Sequence, residues 1–142
     1  MSPKGLPQAY LKKCLSRLRA LQVLFEDENH SDVVREAQEI VELCSKAILR
    51  IALIDPPHRH DVGAELLQAK ISLPKKVHAA LDEIIRANHW LRREREISFY
   101  GAEDFDPTEG YSIEDSRRAF ACAEVAVTTL STLLGATKVA KP

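Results

Sequence analysis

The sequence predicts an all-α fold, an up-and-down antiparallel bundle of about five helices formed by a single domain over residues 1–142. Three observations carry this. Apolar residues recur at helical spacing, no segment alternates in the manner of a strand, and the 142 residues contain only five glycines. The packed part is expected between about residues 8 and 135, with frayed ends on either side. No internal repeat or low-complexity tract divides the chain.

The first helix is predicted from about Gln8 to Glu26, with Leu11, Cys14, Leu15, Leu18, Leu21 and Phe25 on one face. The second begins near Ser31, a good N-cap residue, and directs Val33, Ala37, Ile40, Cys44, Ile48 and Ile51 inward. Its other face carries Glu36, Glu39, Glu42, Lys46 and Arg50, with Glu42 and Lys46 paired at i,i+4. Asp55-Pro56-Pro57 ends it, because proline disfavours helix in the residue before it. A short third helix, about Val62 to Lys70, follows His58-Arg59-His60-Asp61, where Asp61 is placed to cap. Pro74 opens a long fourth helix that reaches Phe99 or Tyr100. After a loop with Pro107 and Gly110, Ser112-Ile-Glu-Asp115 has the pattern of a capping box. In the last helix Ile113, Phe120, Ala123, Val127, Leu130 and Leu134 step as a bundle seam.

Composition narrows the function. A chain of this length builds one core without disulfides or metals, and 45% hydrophobic with 29% charged residues is ordinary for a soluble protein. A net charge of −1 excludes general coating of nucleic acid, so any nucleotide or RNA contact must be local. Cys14, Cys44 and Cys122 are odd in number, lack CxxC spacing and sit among apolar residues, the pattern of free thiols in a reducing cytoplasm. The N-terminal segment has no apolar signal core, and the weakly polar run from Ala119 to Ala136 is broken by Glu124 and several hydroxyl residues. A cytoplasmic protein without a membrane partner is expected.

The densest chemistry lies at Leu91–Gly101, LRREREISFYG. On a helical wheel Val77, Leu81, Ile84, Leu91 and Phe99 form one stripe, and Asn88 and Arg95 fall on it. An arginine in line with a core seam must find an acceptor. Arg95 either snorkels to a glutamate of a neighbouring helix or faces a cleft and receives a phosphate. Asn88 reads as a buried structural amide. Trp90 and Ile97 project from the opposite side and call for a second packing surface, either a homodimer interface or the loop around Phe105 folding back. His58, His60 and Asp61 are too few for a zinc site, so no metal and no cofactor is expected, and His60 with Asp61 reads as shaping the start of the third helix. His30, His78 and His89 read as scattered solvent-facing residues. There is no phosphate-binding glycine loop and no HExxH.

The segment REAQEIVELCSKAILRIALIDPPHRHDVGAELL resembles the second-to-third-helix region of HEPN (higher eukaryotes and prokaryotes nucleotide-binding) domains, where an acidic-apolar helix leads through a short loop to a His-Asp pair. LRREREISFYG, followed by PTEGYSIEDSRRAFACAEVAV, is similar to the family's long penultimate helix, its arginine-tyrosine end and its closing helix. The likeness spans about Val33 to Leu130. It implies a homodimer with a cleft between protomers, often working beside a minimal nucleotidyltransferase in prokaryotic toxin–antitoxin or defence systems. Active members are metal-independent ribonucleases with an arginine, four to six other residues and then a histidine. Here every such position after Arg92, Arg93 and Arg95 holds another residue. Tyr100 stands five after Arg95, and a phenol with a reference pKa of about 10 is a poor base at neutral pH. The resemblance therefore implies a cleft binding a nucleotide, RNA or a partner protein through Arg92, Arg95, Tyr100, His60 and Asp61. An atypical ribonuclease using Arg95, Glu94 and Tyr100 and a purely protein–protein interaction module are the alternatives.

Overall fold

The chain folds into five helices, α1 Leu6–Glu26, α2 His30–Ile51, α3 Gly63–Lys70, α4 His78–Tyr100 and α5 Ile113–Leu133, with a 3-10 turn over Lys75–Val77 leading into α4. This computed structural model describes residues 6–100 and 110–135, with the side chains of α4 described as far as Arg93. Among these residues the fold is all-helical, as the periodicity predicts.

The position of α2 follows from its composition. Val33, Val34, Ala37, Ile40, Val41, Cys44, Ala47, Ile48 and Leu49 are all buried, more than one face's worth of apolar surface. A helix apolar around much of its circumference must be surrounded. α2 accordingly packs against α1, α3, α4 and α5. Leu11, Cys14 and Leu21 of α1, Leu81, Ile84 and Leu91 of α4, and Ala119, Ala123, Ala126 and Leu130 of α5 complete one core. The alanine-rich inner face of α5 lets its backbone approach α2 closely. Phe25 and Phe120 meet edge to face at 5.6 Å between ring centres and close the α1–α5 seam.

The helix ends hold two departures from the expected boundaries. α2 starts two residues earlier than a Ser31 cap allows: Asn29 is the N-cap, its carbonyl accepts from Val33, and its amide donates to Asp32 at 2.8 Å. α2 also stops before the prolines. Leu53 adopts φ 62°, its N–H reaches the Arg50 carbonyl, and the Ile54 N–H reaches that of Leu49. That is a Schellman termination with leucine in the left-handed position usually given to glycine. α1 ends the same way through Glu28, at φ 59°, with Glu28 bonding Phe25 and Asn29 bonding Leu24. At α5 the expected capping box is present: the Asp115 N–H donates to Ser112 Oγ at 3.2 Å, and the Ser112 N–H to Asp115 Oδ2 at 2.9 Å.

Trp90, expected to need a second packing surface, meets α5 within the chain. It is buried, and the Arg118 guanidinium of α5 lies 4.0 Å from its ring centre. The side chain of Ile97 and residues 101–109, Phe105 among them, lie outside the described set. His30 and His78 are not solvent-facing. His30 Nδ1 lies 2.5 Å from Ser116 Oγ, and the His78 Nε2–H donates to the Leu73 carbonyl at 2.9 Å. Cys14 and Cys44 are free and fully buried, as expected, while Cys122 is half-buried.

Candidate functional site

Four residues of α2 spaced for one side of a helix, Gln38, Glu42, Ser45 and Lys46, face the segment between α2 and α3 and the middle of α4. Gln38 and Ser45 are buried polar residues, and the Glu42 side chain is only 15% exposed. Polar groups in such a place need partners. Gln38 Nε2 donates to Glu42 Oε1 at 3.0 Å, and the Lys46 ammonium lies 3.5 Å from Glu42 Oε2. Burial pushes the Glu42 carboxyl up, but the bonds from His60 and Gln38 and the charges of His60 and Lys46 outweigh it, so its pKa falls below the ordinary 4.5. Glu42 is ionised at neutral pH and set into the molecule.

His60 is the principal partner of that carboxylate. Its Nδ1 lies 2.5 Å from Glu42 Oε1 across 18 residues of sequence. A carboxylate only accepts, so the hydrogen sits on Nδ1 and Nε2 is the ring nitrogen left to meet a ligand. The neighbouring Asp61 does two jobs. Its Oδ1 accepts the Gly63 N–H at 2.9 Å at the start of α3, and its Oδ2 lies 3.5 Å from Nδ1 of His89 on α4. A Cβ on Gly63 would stand 3.2 Å from Asp61 Oδ1, so glycine lets the carboxylate lie this close to the helix start. Arg59 closes the turn by donating to the Asp61 carbonyl at 3.1 Å and pairing with Glu65 of α3.

Asn88 fastens the histidine segment to the core. Its Oδ1 accepts the Val62 N–H at 3.3 Å, and its Nδ2 donates to Ser45 Oγ at 3.0 Å and to the Ile84 carbonyl at 2.9 Å. The amide is 4% exposed, as a structural asparagine should be. One helical turn on, Arg92 is half-buried and Arg93 exposed, and each is engaged in a polar or electrostatic contact. The backbone of α4 continues through Glu94, Arg95 and Tyr100, whose side chains lie outside the described set.

Of the residues expected to form the site, His60 and Asp61 are adjacent in a built cluster, and Arg92 follows it on α4. Glu42 and His89 were not expected there. The i,i+4 pair with Lys46 makes Glu42 look like solvated surface, and no local pattern joins His89 to a residue 28 positions earlier. A histidine–hydroxyl contact elsewhere, His30 with Ser116, offers no reactive group: Ser116 is wholly buried and serves to tie α2 to α5.

Compared with models of known protein families, the chain matches the HEPN domain over residues 7–133. It belongs to the HEPN family. Comparison with curated proteins and with solved structures gave no match. Membership supports a nucleotide- or RNA-related function for this HEPN chain. Its described histidine pair lies N-terminal to Arg92, Arg93 and Arg95, the reverse of the family's arginine-then-histidine order, and comes from two separate elements. Among the described residues no helix is long and apolar enough to cross a membrane.

Proposed function

We propose that this HEPN protein binds the phosphate of a nucleotide or of RNA on the surface formed by His60, His89 and Arg92. One observation carries the reading: Nδ1 of His60 lies 2.5 Å from Glu42 and Nδ1 of His89 3.5 Å from Asp61, which brings two accessible imidazoles together beside Asp61, with Arg92 three residues after His89 on α4. Phosphate oxygens accept hydrogen bonds, and imidazole and guanidinium N–H groups donate them. A local contact also suits a chain whose net charge of −1 gives no general attraction to nucleic acid. Arg95 and Tyr100, whose side chains lie outside the described set, are proposed as further ligand contacts.

Family membership supports a wider setting: a cytoplasmic homodimer in a prokaryotic toxin–antitoxin or defence system, beside a minimal nucleotidyltransferase. Fluorescence anisotropy with a labelled single-stranded RNA and with a labelled nucleotide, over a salt series, tests the binding. Arg92→Gln is expected to weaken binding and to lower the salt slope by about one. Failure of both probes to bind at low salt refutes the proposal.

A further inference from the structure

Two cavities adjoin at the end of the bundle where α1 begins and α2 and α5 stop. Their volumes are about 490 and about 440 Å³, and Gln8 and Leu134 line both, so they make one groove. None of His60, His89 and Arg92 lines it. Along α1 its wall is a helical stripe that includes Leu11, Lys12, Leu15 and Arg19. From Gln8 to Arg19 that stripe runs about 17 Å, three turns of helix. Beyond Leu134 the wall passes to the end of α2, with Arg50, Ile51, Leu53 and Ile54.

Leu53 carries two costs at once. Its side chain is 93% exposed, and its backbone sits at φ 62°, a conformation that favours glycine. Ile54 beside it packs on the core, so the leucine is not needed to close the end of α2. The charge around the groove is one-sided as well. Lys12, Arg19 and Arg50 line it against a single carboxylate, Asp55. Lys12 and Arg50 are exposed, and among the described residues neither pairs with a carboxylate; Arg19 bonds only the Ser16 hydroxyl. α1 as a whole carries four cations and no acid before Glu26.

From this we infer that the groove receives an acidic amphipathic helix of a partner protein, with apolar side chains on the floor and carboxylates against Lys12, Arg19 and Arg50. An amphipathic helix lays its apolar stripe into such a groove, and complementary charge at the rim sets its orientation. The aliphatic floor argues against RNA as the occupant, because bases stack on aromatic rings and no aromatic residue lines either cavity. Leu53 is the natural anchor: its exposed surface becomes buried on docking, which gives the strained leucine a role that glycine cannot fill.

The test uses the full chain and a fluorescein-labelled synthetic peptide of about 16 residues, with leucines at i, i+3, i+4 and i+7 spacing and alanine and glutamate elsewhere. Its controls replace every glutamate by lysine or every leucine by serine. Anisotropy should show saturable binding of the acidic peptide, weakened by salt, and binding of each control at least about tenfold weaker. Leu53→Gly should weaken binding about tenfold while its thermal midpoint stays level or rises, a combination that a folding defect does not produce. Arg19→Glu and Arg50→Glu should each weaken binding and flatten its salt dependence. No saturable binding of the acidic peptide at low salt, or binding indifferent to both Leu53→Gly and Arg50→Glu, overturns the inference. Single-stranded RNA that displaces the peptide and itself loses affinity in Arg19→Glu gives the groove to nucleic acid and also overturns it. Light scattering that finds wild type self-associated and Leu53→Gly monomeric gives the groove to a second copy, with the same consequence.

Discussion

Replacing Asn88 by alanine isolates the joint between core and site. The change deletes three hydrogen bonds, to the Val62 N–H at 3.3 Å, to Ser45 Oγ at 3.0 Å and to the Ile84 carbonyl at 2.9 Å. The losses are unequal. The Ile84 carbonyl keeps the α-helical bond it already makes, and the Ser45 hydroxyl can turn to a carbonyl of the preceding turn of α2. The Val62 N–H has no such recourse, because Val62 is fully buried. An orphaned buried donor costs about 1–3 kcal/mol, and the small void left by truncation adds about 1 kcal/mol. Asn88→Ala is thus expected to lose about 2–4 kcal/mol in urea unfolding with an unchanged m-value, whereas Ser45→Ala, which removes one of the three bonds of the Asn88 amide, should lose about 1 kcal/mol. Release of Val62 also frees His60 and Asp61, so RNA or nucleotide affinity should fall in the alanine variant under conditions where it is fully folded. Equal effects of the two substitutions, or a loss below about 1 kcal/mol for Asn88→Ala, would refute the claim that this amide holds the segment.

Two further expectations concern charge and backbone. The Glu42 carboxyl titrates below its ordinary 4.5, so it stabilises the fold above that pH and the contribution is lost as pH falls through the lowered value; urea midpoints of Glu42→Gln should vary less with pH in that acid window than those of wild type. An equal acid slope in the two proteins contradicts the assignment. Leu53 is 93% exposed and left-handed at φ 62°, so Leu53→Gly should raise stability by about 0.5–1 kcal/mol while Leu53→Ala should not, as thermal unfolding can show.

The sequence made the helices legible because their apolar spacing is strong and the Ser112–Asp115 cap is purely local. The ends of α1 and α2 were not legible, since Glu28 and Leu53 occupy left-handed positions that a glycine would have advertised. The site was half legible. His60 and Asp61 stand out next to each other in a short turn, and the arginines of α4 stand out by density. Glu42 was hidden by its lysine neighbour, and its partner lies 18 residues away across a tertiary contact. His89 was hidden because one exposed histidine on a helix carries no pattern. At Trp90 the sequence shows a large apolar residue off the main stripe but not its neighbour, because Arg118 of α5, 28 residues on, reaches the ring only in the folded chain.

The central placing of α2 fixes which parts of this site can change. Glu42 is mounted on the helix that four others grip, so moving its carboxylate means disturbing the core. His60 sits on a turn between helices and His89 on the outer side of α4, and either can be replaced or repositioned at little cost to folding. The acidic anchor is therefore a fixed reference point around which the basic groups are adjustable. Within such a scaffold, ligand preference is free to drift through the turn before α3 and the exposed face of α4, while substitutions at Glu42 must first survive the demands of packing.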